Sequence, residues 1–222
     1  MTNNKICHLL RRVILYGYRG GKYPMTKSQT ILTKTQILNA AEETLRRFGP
    51  DKASVTDVAK LLHVSHGTIY RHYENKAALK EAVTERWLEE KIITPLTEVL
   101  NRTSPNKCDH LKIYIGHLIK LKQQYARTDK EMFKMYAEVT EQSANLIKHH
   151  VRIIIEQLST LIASGRLNGE IAVTDVSTLA ETIFMATSRF HHPAHAYEWE
   201  NEDCETNFTN VWDLILRAIA IK

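Results

Sequence analysis

Three groups of residues carry side chains suited to chemistry. The first lies between Ser54 and Lys76, where Thr56, His66, Thr68, Tyr70, Arg71, His72 and Lys76 surround the bare backbone of Gly67. Hydroxyl, phenol and ammonium groups bind phosphate oxygens, whereas a guanidinium fork or a small hydroxyl on a helix reaches base edges. This set suits duplex nucleic acid, with His66, Thr68 and Arg71 placed to specify sequence and the others to position the protein. The second group is His191-His192-Pro193-Ala194-His195, three imidazoles within five residues, with Cys204 further on. Adjacent histidines on an irregular loop seldom converge into a metal shell without a fourth ligand. No metal is therefore assigned, and His191 and His192 are expected to cap the C-terminal end of the preceding helix, where a cation is favoured. The third group is dispersed: Trp87, Tyr114, His117, Tyr125, Phe133, Tyr136 and Phe184 recur at helical spacing. Such residues either pack a core or line a cavity for an apolar or aromatic molecule.

The elements that must hold the first group are short helices. Ile37, Leu38, Ala41, Leu45 and Phe48 repeat on one face from about residue 34 to 48, with Gly49-Pro50 as the stop. Ser54 caps a second helix ending near Leu62, and Asp57 stands three residues on in a variant of the capping box. His63-Val64-Ser65 makes a three-residue turn, and Ser65 caps a third helix through His72. Two short helices across a tight turn form a helix-turn-helix. The third helix turns His66, Gly67, Thr68 and Arg71 outward and Val64, Ile69 and Tyr73 inward. Asn75 caps a fourth helix that runs to about Ile93, where Pro95 kinks or breaks it.

Beyond it the helical period predicts segments near 95–102, 108–127, 129–141, 143–164, 174–190 and 204–220. Thr128 and Glu131 form a capping box, and Gly165 and Gly169 punctuate loops. Eight glycines and five prolines in 222 residues, with 43% apolar content, fit an all-α chain of about nine to ten helices with a real core. No apolar run is long enough to span a membrane. Cys7, Cys108 and Cys204 are too few and too scattered for a disulfide framework, which points to a reducing cytoplasm.

Charge divides the chain. Residues 1–80 hold 14 Lys+Arg against 5 Asp+Glu, a balance of +9, and residues 81–222 hold 16 against 20, a balance of −4. A basic N-terminal third beside an acidic remainder suits a polyanion for the first part and another task for the second. The stretch Lys5–Lys22 is basic with a short apolar patch, yet it lacks the apolar length and cleavage site of a signal peptide. Residues 1–24 read either as a disordered basic arm with no specific role or as an upstream extension or start-site artefact ahead of a chain that begins at Met25. Nucleophile elbow, phosphate-binding glycine loop, zinc-binding His-Glu helix and dinucleotide fingerprint are all missing, so neither an enzyme nor a cofactor is expected.

Thr33 to Lys80, and above all Ser54-Val-Thr-Asp-Val-Ala-Lys60 followed by Val64-Ser-His-Gly-Thr-Ile-Tyr-Arg-His-Tyr-Glu-Asn-Lys-Ala-Ala-Leu79, resembles the N-terminal domain of the TetR/AcrR family of bacterial transcriptional repressors. That family reads operator DNA with its third helix, so the resemblance implies DNA roles for Thr56, His66, Gly67, Thr68, Tyr70, His72 and Lys76. His63 stands where the family usually has Gly, and His66 where Lys is common. The resemblance further implies that the two C-terminal helices pair with their copies in a homodimer; here their apolar faces include Ile183, Phe208, Trp212, Ile215 and Ile219. It also implies a small-molecule effector that enters the body and shifts the helix beginning at Lys76. The expected organisation is a basic extension (1–32), a helix-turn-helix domain (33–78) and a helical ligand-binding and dimerisation domain (79–222). The expected function is a dimeric repressor released from a palindromic operator by its effector. A ligand-independent architectural DNA-binding protein and a metal-responsive regulator are the alternatives.

Overall fold

The computed structural model describes residues 32–221; the basic extension and the proposed start at Met25 lie outside them. The first helix, α1 (Lys34–Lys52), opens on a reciprocal cap: Thr33 accepts from the Gln36 amide at 3.2 Å, and the Gln36 carboxamide accepts from the Thr33 amide at 2.9 Å. Its regular part ends at Gly49, whose φ of 75° lies in the left-handed region, and the following Pro50 starts one further turn. Next come α2 (Val55–Leu61), α3 (His66–Tyr70) and α4 (Lys76–Leu88). Ile37, Ala41, Leu45, Val55, Val58, Ala59, Ile69 and Leu79 close the core of this head.

At Pro95 the helix does not break. Helix α4 runs without a break through a π-turn at Glu89–Ile93 into α5 (Thr94–Leu100). The Thr94 amide reaches back five residues to the Glu89 carbonyl. Widening the helix by one residue just before a proline relieves the clash of its ring with the preceding turn. One continuous rod, residues 76–100, therefore links head to body.

The body comprises α6 (Lys107–Thr128), α7 (Lys130–Gln142), α8 (Ala144–Leu167), α9 (Val176–Ala186) and α10 (Cys204–Ile219). Its core is built on Leu111, Ile115, Leu118, Met132, Met135, Leu158 and Ile162, all fully buried. Three boundary expectations need correction. Thr128 is the last residue of α6, its hydroxyl donating to the Gln124 carbonyl at 2.9 Å, so it makes no capping box with Glu131. Gly165 lies inside α8 rather than in a loop, because a Cβ there would stand 2.5 Å from the Ile171 side chain. The segment expected as one helix to residue 190 stops at Ala186 and continues as short 3-10 turns at Ser188–Phe190 and Pro193–Glu198. Among the described residues the only β-pairing is an isolated bridge, Ile171 to Ala220, and no helix is long and apolar enough to cross a membrane.

Head and body are joined by charge. Arg46 on α1 reaches Asp129 with Nε at 3.2 Å and Nη2 at 3.0 Å, and the same carboxylate accepts from the Trp87 indole at 3.3 Å. Glu42 holds Arg86 of α4 at 2.5 Å and Arg46 at 3.0 Å, while Lys80 meets Glu138 at 3.1 Å. Planar carboxylate-guanidinium pairs fix orientation as well as distance.

Candidate nucleic-acid interface

The turn before α3 places the reading helix. Ser54 accepts from the Asp57 amide at 3.2 Å, and its hydroxyl donates to the Asp57 carboxylate at 2.5 Å. The carboxylate thus bonds the cap side chain, not the cap backbone as a full box would. His63 takes φ 55°, the left-handed conformation that glycine adopts freely and other residues adopt at roughly 1–2 kcal/mol. The Val64 amide still closes onto the Ala59 carbonyl at 3.0 Å, so the turn forms with His63 in place of Gly.

Helix α3 is shorter than expected, ending at Tyr70, and Ser65 gives it no amide cap. Its hydroxyl instead meets the Thr68 hydroxyl at 3.0 Å, and Arg71 donates to that same Thr68 oxygen at 3.3 Å. Ile69, buried, pins the helix to the head. His66, Gly67, Tyr70 and Arg71 are exposed, as are Thr56 at the start of α2 and Lys76 at the start of α4; Thr68 and His72 are half-buried. The His66 and Tyr70 rings meet edge to face, 6.2 Å apart. Of the eight expected DNA contacts, six are thus exposed and two half-buried, distributed over α2, α3 with the two residues after it, and the first turn of α4. Asn75 caps α4 by accepting from the Ala78 amide at 2.9 Å, beside the Lys76 ammonium. Cation and helix N-terminus together favour a phosphate there.

A cleft of about 550 Å³ runs between α1, α4 and α8. Head residues Lys34, Leu38 and Tyr73 form one edge, Leu88 and the π-turn residues Glu89, Glu90 and Ile93 the floor, and Leu146, His149, His150 and Ile153 of α8 the other edge. The residues expected as a pocket are placed elsewhere. Trp87 packs against Tyr125 at 5.5 Å and Tyr136 at 5.9 Å, and Phe133 against Tyr136 at 5.7 Å and Trp199 at 5.8 Å. Tyr114, fully buried, donates to Gln157 at 2.7 Å. His117 is half-buried on α6, and Phe184 faces His191, ring centres 4.7 Å apart. The cleft's His150 was missed, although a polar residue in register with Ile154 and Leu158 on an apolar stripe is a sign of a special position.

His191 does not cap a helix with a positive charge. It is buried, its Nε2 lies 3.3 Å from the Thr187 hydroxyl, and burial pushes its pKa down to about 3. His192 accepts from the Ala194 amide, and His195 pairs with Glu198 at 3.1 Å. Among the described residues no three His, Cys, Asp or Glu are placed to hold a metal ion. Of the expected dimer contacts, Ile183, Trp212 and Ile219 are buried within the chain itself, and Phe208 and Ile215 are half-buried. The outward apolar side chains on α9 and α10 are Met185 and Leu214, each 71% exposed.

A three-helix head that reads outward through its third helix, rigidly tied to a helical body, defines the class: a helix-turn-helix transcriptional regulator. Two family descriptions match the chain, "Bacterial regulatory proteins, tetR family" over residues 37–83 and "Tetracyclin repressor-like, C-terminal domain" over residues 108–212. The chain belongs to the TetR family. The transcriptional regulator TtgR of Pseudomonas putida is 37% identical over 60 residues, which are 27% of this chain and 29% of TtgR. The chain thus matches under a third of that relative's length. Two solved structures share the fold. SmeT, described as the repressor of the Stenotrophomonas maltophilia multidrug efflux pump SmeDEF, is 18% identical with a TM-score of 0.61, covering 86% of this chain and 92% of its own. FadR of Bacillus subtilis, in complex with stearoyl-CoA, is 19% identical with a TM-score of 0.58, covering 84% of this chain and 99% of its own.

Proposed function

We propose that the protein is a dimeric, cytoplasmic repressor, not an enzyme, that holds a palindromic operator with two copies of α3 and releases it when a small molecule binds. The observation that carries this reading is the cleft, since its walls include α1 of the head, the α4 rod and α8 of the body. A ligand filling it contacts both the element that carries the reading surface and the scaffold that fixes it, which is what coupling between two sites requires. Repressors among the similar proteins, SmeT included, agree with this reading. The exposed surface around Thr68, Arg71 and Lys76 supplies DNA binding, with Arg71 matched to guanine and Lys76 to phosphate.

The test is binding of the full chain to DNA flanking its own gene, followed by fluorescence anisotropy across a salt series. Specific binding should fall steeply with salt. Lys76→Ala should weaken binding to all sequences and reduce the salt slope by about 1, whereas Arg71→Ala should relax sequence preference at a cost of about 1–3 kcal/mol. Binding that ignores sequence, or that neither variant changes, rejects the repressor reading in favour of an architectural role or no DNA role.

A further inference from the structure

Deep in the body three elements bring basic side chains together with no acid among them. Lys122 on α6 is 2% exposed; its Nζ stands 3.4 Å from Nε2 of the buried His150 on α8 and 4.0 Å from the centre of the Tyr136 ring on α7. His191, buried just after α9, adds a second imidazole to the same region. Burial alone accounts for the depression of the lysine to about 7, and His150 is held well below its ordinary value by burial and then by Lys122 itself. A buried amine without a counter-ion is less stable than an apolar side chain of the same volume. The fold could have placed Leu or Met there, so the retained lysine calls for a partner that the chain does not supply.

His150 is the link to the outside, because its ring touches Lys122 and also lines the cleft between α4 and α8. Leu38, Leu88, Ile93 and Ile153 give the same cleft apolar wall. We propose that the effector is a carboxylic acid with an apolar body, seated in this cleft with its carboxylate against His150 and the Lys122 ammonium behind. This rests on the reading of the cleft as the effector's place and adds the effector's chemical class. A cation at the inner end of the cleft would meet Lys122, His150 and His191, and the cleft's carboxylates, Glu85, Glu89 and Glu90, are exposed and solvent-screened. A neutral ligand would leave the amine unmatched. A carboxylate, in contrast, forms a charge-assisted pair in a site shielded from water.

The other charged groups facing the cleft are Lys34, Glu85, Arg86, Glu89, Glu90 and His149. Arg86 is already held by Glu42, and the three glutamates are exposed, so solvent screens them far more than it screens the buried amine. Protons balance simply. The carboxylate arrives ionised, and Lys122 or His150 takes up to one proton from solvent, leaving the buried pair neutral overall. Binding therefore tightens as pH falls from about 8.5 to about 6.5 while the ligand stays ionised.

The experiment uses the full chain with octanoate, octanamide and octylamine, read by thermal denaturation and by calorimetric titration in two buffers of different ionisation enthalpy. Octanoate should raise the melting temperature by mass action and show proton uptake, and its amide and amine counterparts should not. Lys122→Met should weaken octanoate binding by at least about tenfold while raising the melting temperature of the free protein, so that lost binding is not lost folding. Lys122→Met should also lose most of the pH dependence between about 8.5 and 6.5, whereas His150→Gln, which keeps a donor and acceptor but cannot charge, should keep it. Equal binding of octanamide, preference for octylamine, no binding of butanoate, octanoate, dodecanoate or benzoate, or octanoate binding unchanged in Lys122→Met overturns the proposal. Octanoate that binds without releasing DNA keeps the acid site and rejects the repressor reading. A molecule without an acid group that releases DNA does the reverse.

Discussion

At Gly67 an added Cβ would meet no protein atom nearer than the Ser65 hydroxyl, 3.8 Å away, and the backbone there is ordinarily helical. The chain's own packing gives no reason for a glycine, so the space it leaves is explained by what approaches from outside. Gly67→Ala should stabilise the protein by about 0.5 kcal/mol through a better helix former. Gly67→Leu should fold as well and yet weaken DNA binding by at least about tenfold, as measured by anisotropy beside a melting curve. Equal DNA affinity for the leucine variant would remove Gly67 from the interface. A second expectation at this scale concerns pH. The lysine and the two buried imidazoles have folded pKa values below their unfolded ones of about 10.5 and 6.5. Between each pair of values the unfolded chain binds more protons, so stability is complete above the unfolded value and falls as pH drops toward the folded one. For Lys122 the window runs from about 10.5 down to about 7, and for His191 from about 6.5 down to about 3. Burial raises the Tyr114 and Tyr136 phenols, which reverses the trend above about pH 10. The urea midpoint should therefore climb from about pH 5 to about pH 9, and Lys122→Met should flatten the upper half of that climb. A midpoint that is level between about pH 7 and 9 in the unaltered protein contradicts a buried, unpaired amine.

Among the elements, the caps divide into those that hold a helix end and those that do not. Asn75 accepts from the first turn of α4, whereas Ser65 spends its hydroxyl on Thr68. Asn75→Ala should cost about 1 kcal/mol of stability, and Ser65→Ala well under half of that, by chemical denaturation. Similar losses for both would show that Ser65 caps α3 after all. This contrast also marks how far local sequence carries. The head was legible because its signals are short-range: Thr33, Ser54 and Asn75 each cap through a bond three residues away, and the period of Ile37, Ala41 and Leu45 needs no distant partner. Thr128 was misleading because its competitor is tertiary. Asp129 takes the turn at the start of α7 and gives its carboxylate to Arg46, 83 residues earlier, and to Trp87, so no local pattern announces it. The π-turn before Pro95 is a shift of helix register, invisible to periodicity. The reading surface was legible because it is consecutive in sequence. The cleft was not, since it is assembled from α1, α4 and α8. One trace was present nonetheless: Lys122 continues the stripe of Leu111, Ile115 and Leu118, a charged residue where the period demands an apolar one.

At the scale of the whole molecule, the dimeric reading proposed above draws on the five-residue length of α3, because one such helix covers too few base pairs to define a site and paired half-sites lie a helical turn or its multiples apart. For that proposed pairing the C-terminal helices offer an apolar face. Trp212 and Ile219 anchor α10 to its own body, while Leu214 on the same helix and Met185 on α9 turn outward, each 71% exposed. Apolar side chains this open, on helices otherwise well anchored, are what a symmetric interface uses as its centre. Leu214→Glu should leave the fold intact, since the side chain touches solvent, but should convert the protein to a single-chain species in sedimentation equilibrium. DNA affinity should fall with it by at least about tenfold, because each head then binds alone. The Arg46–Asp129 and Arg86–Glu42 pairs make the second part of this expectation stringent. They tie α1 to the start of α7 and to α4, so in the proposed dimer the spacing of the two reading helices would follow how the bodies meet and what lies in the cleft between α4 and α8. A Leu214→Glu variant that is a single chain and still binds the palindrome at full strength would mean that one head suffices. Pairing through α9 and α10 would then play no part in reading the operator.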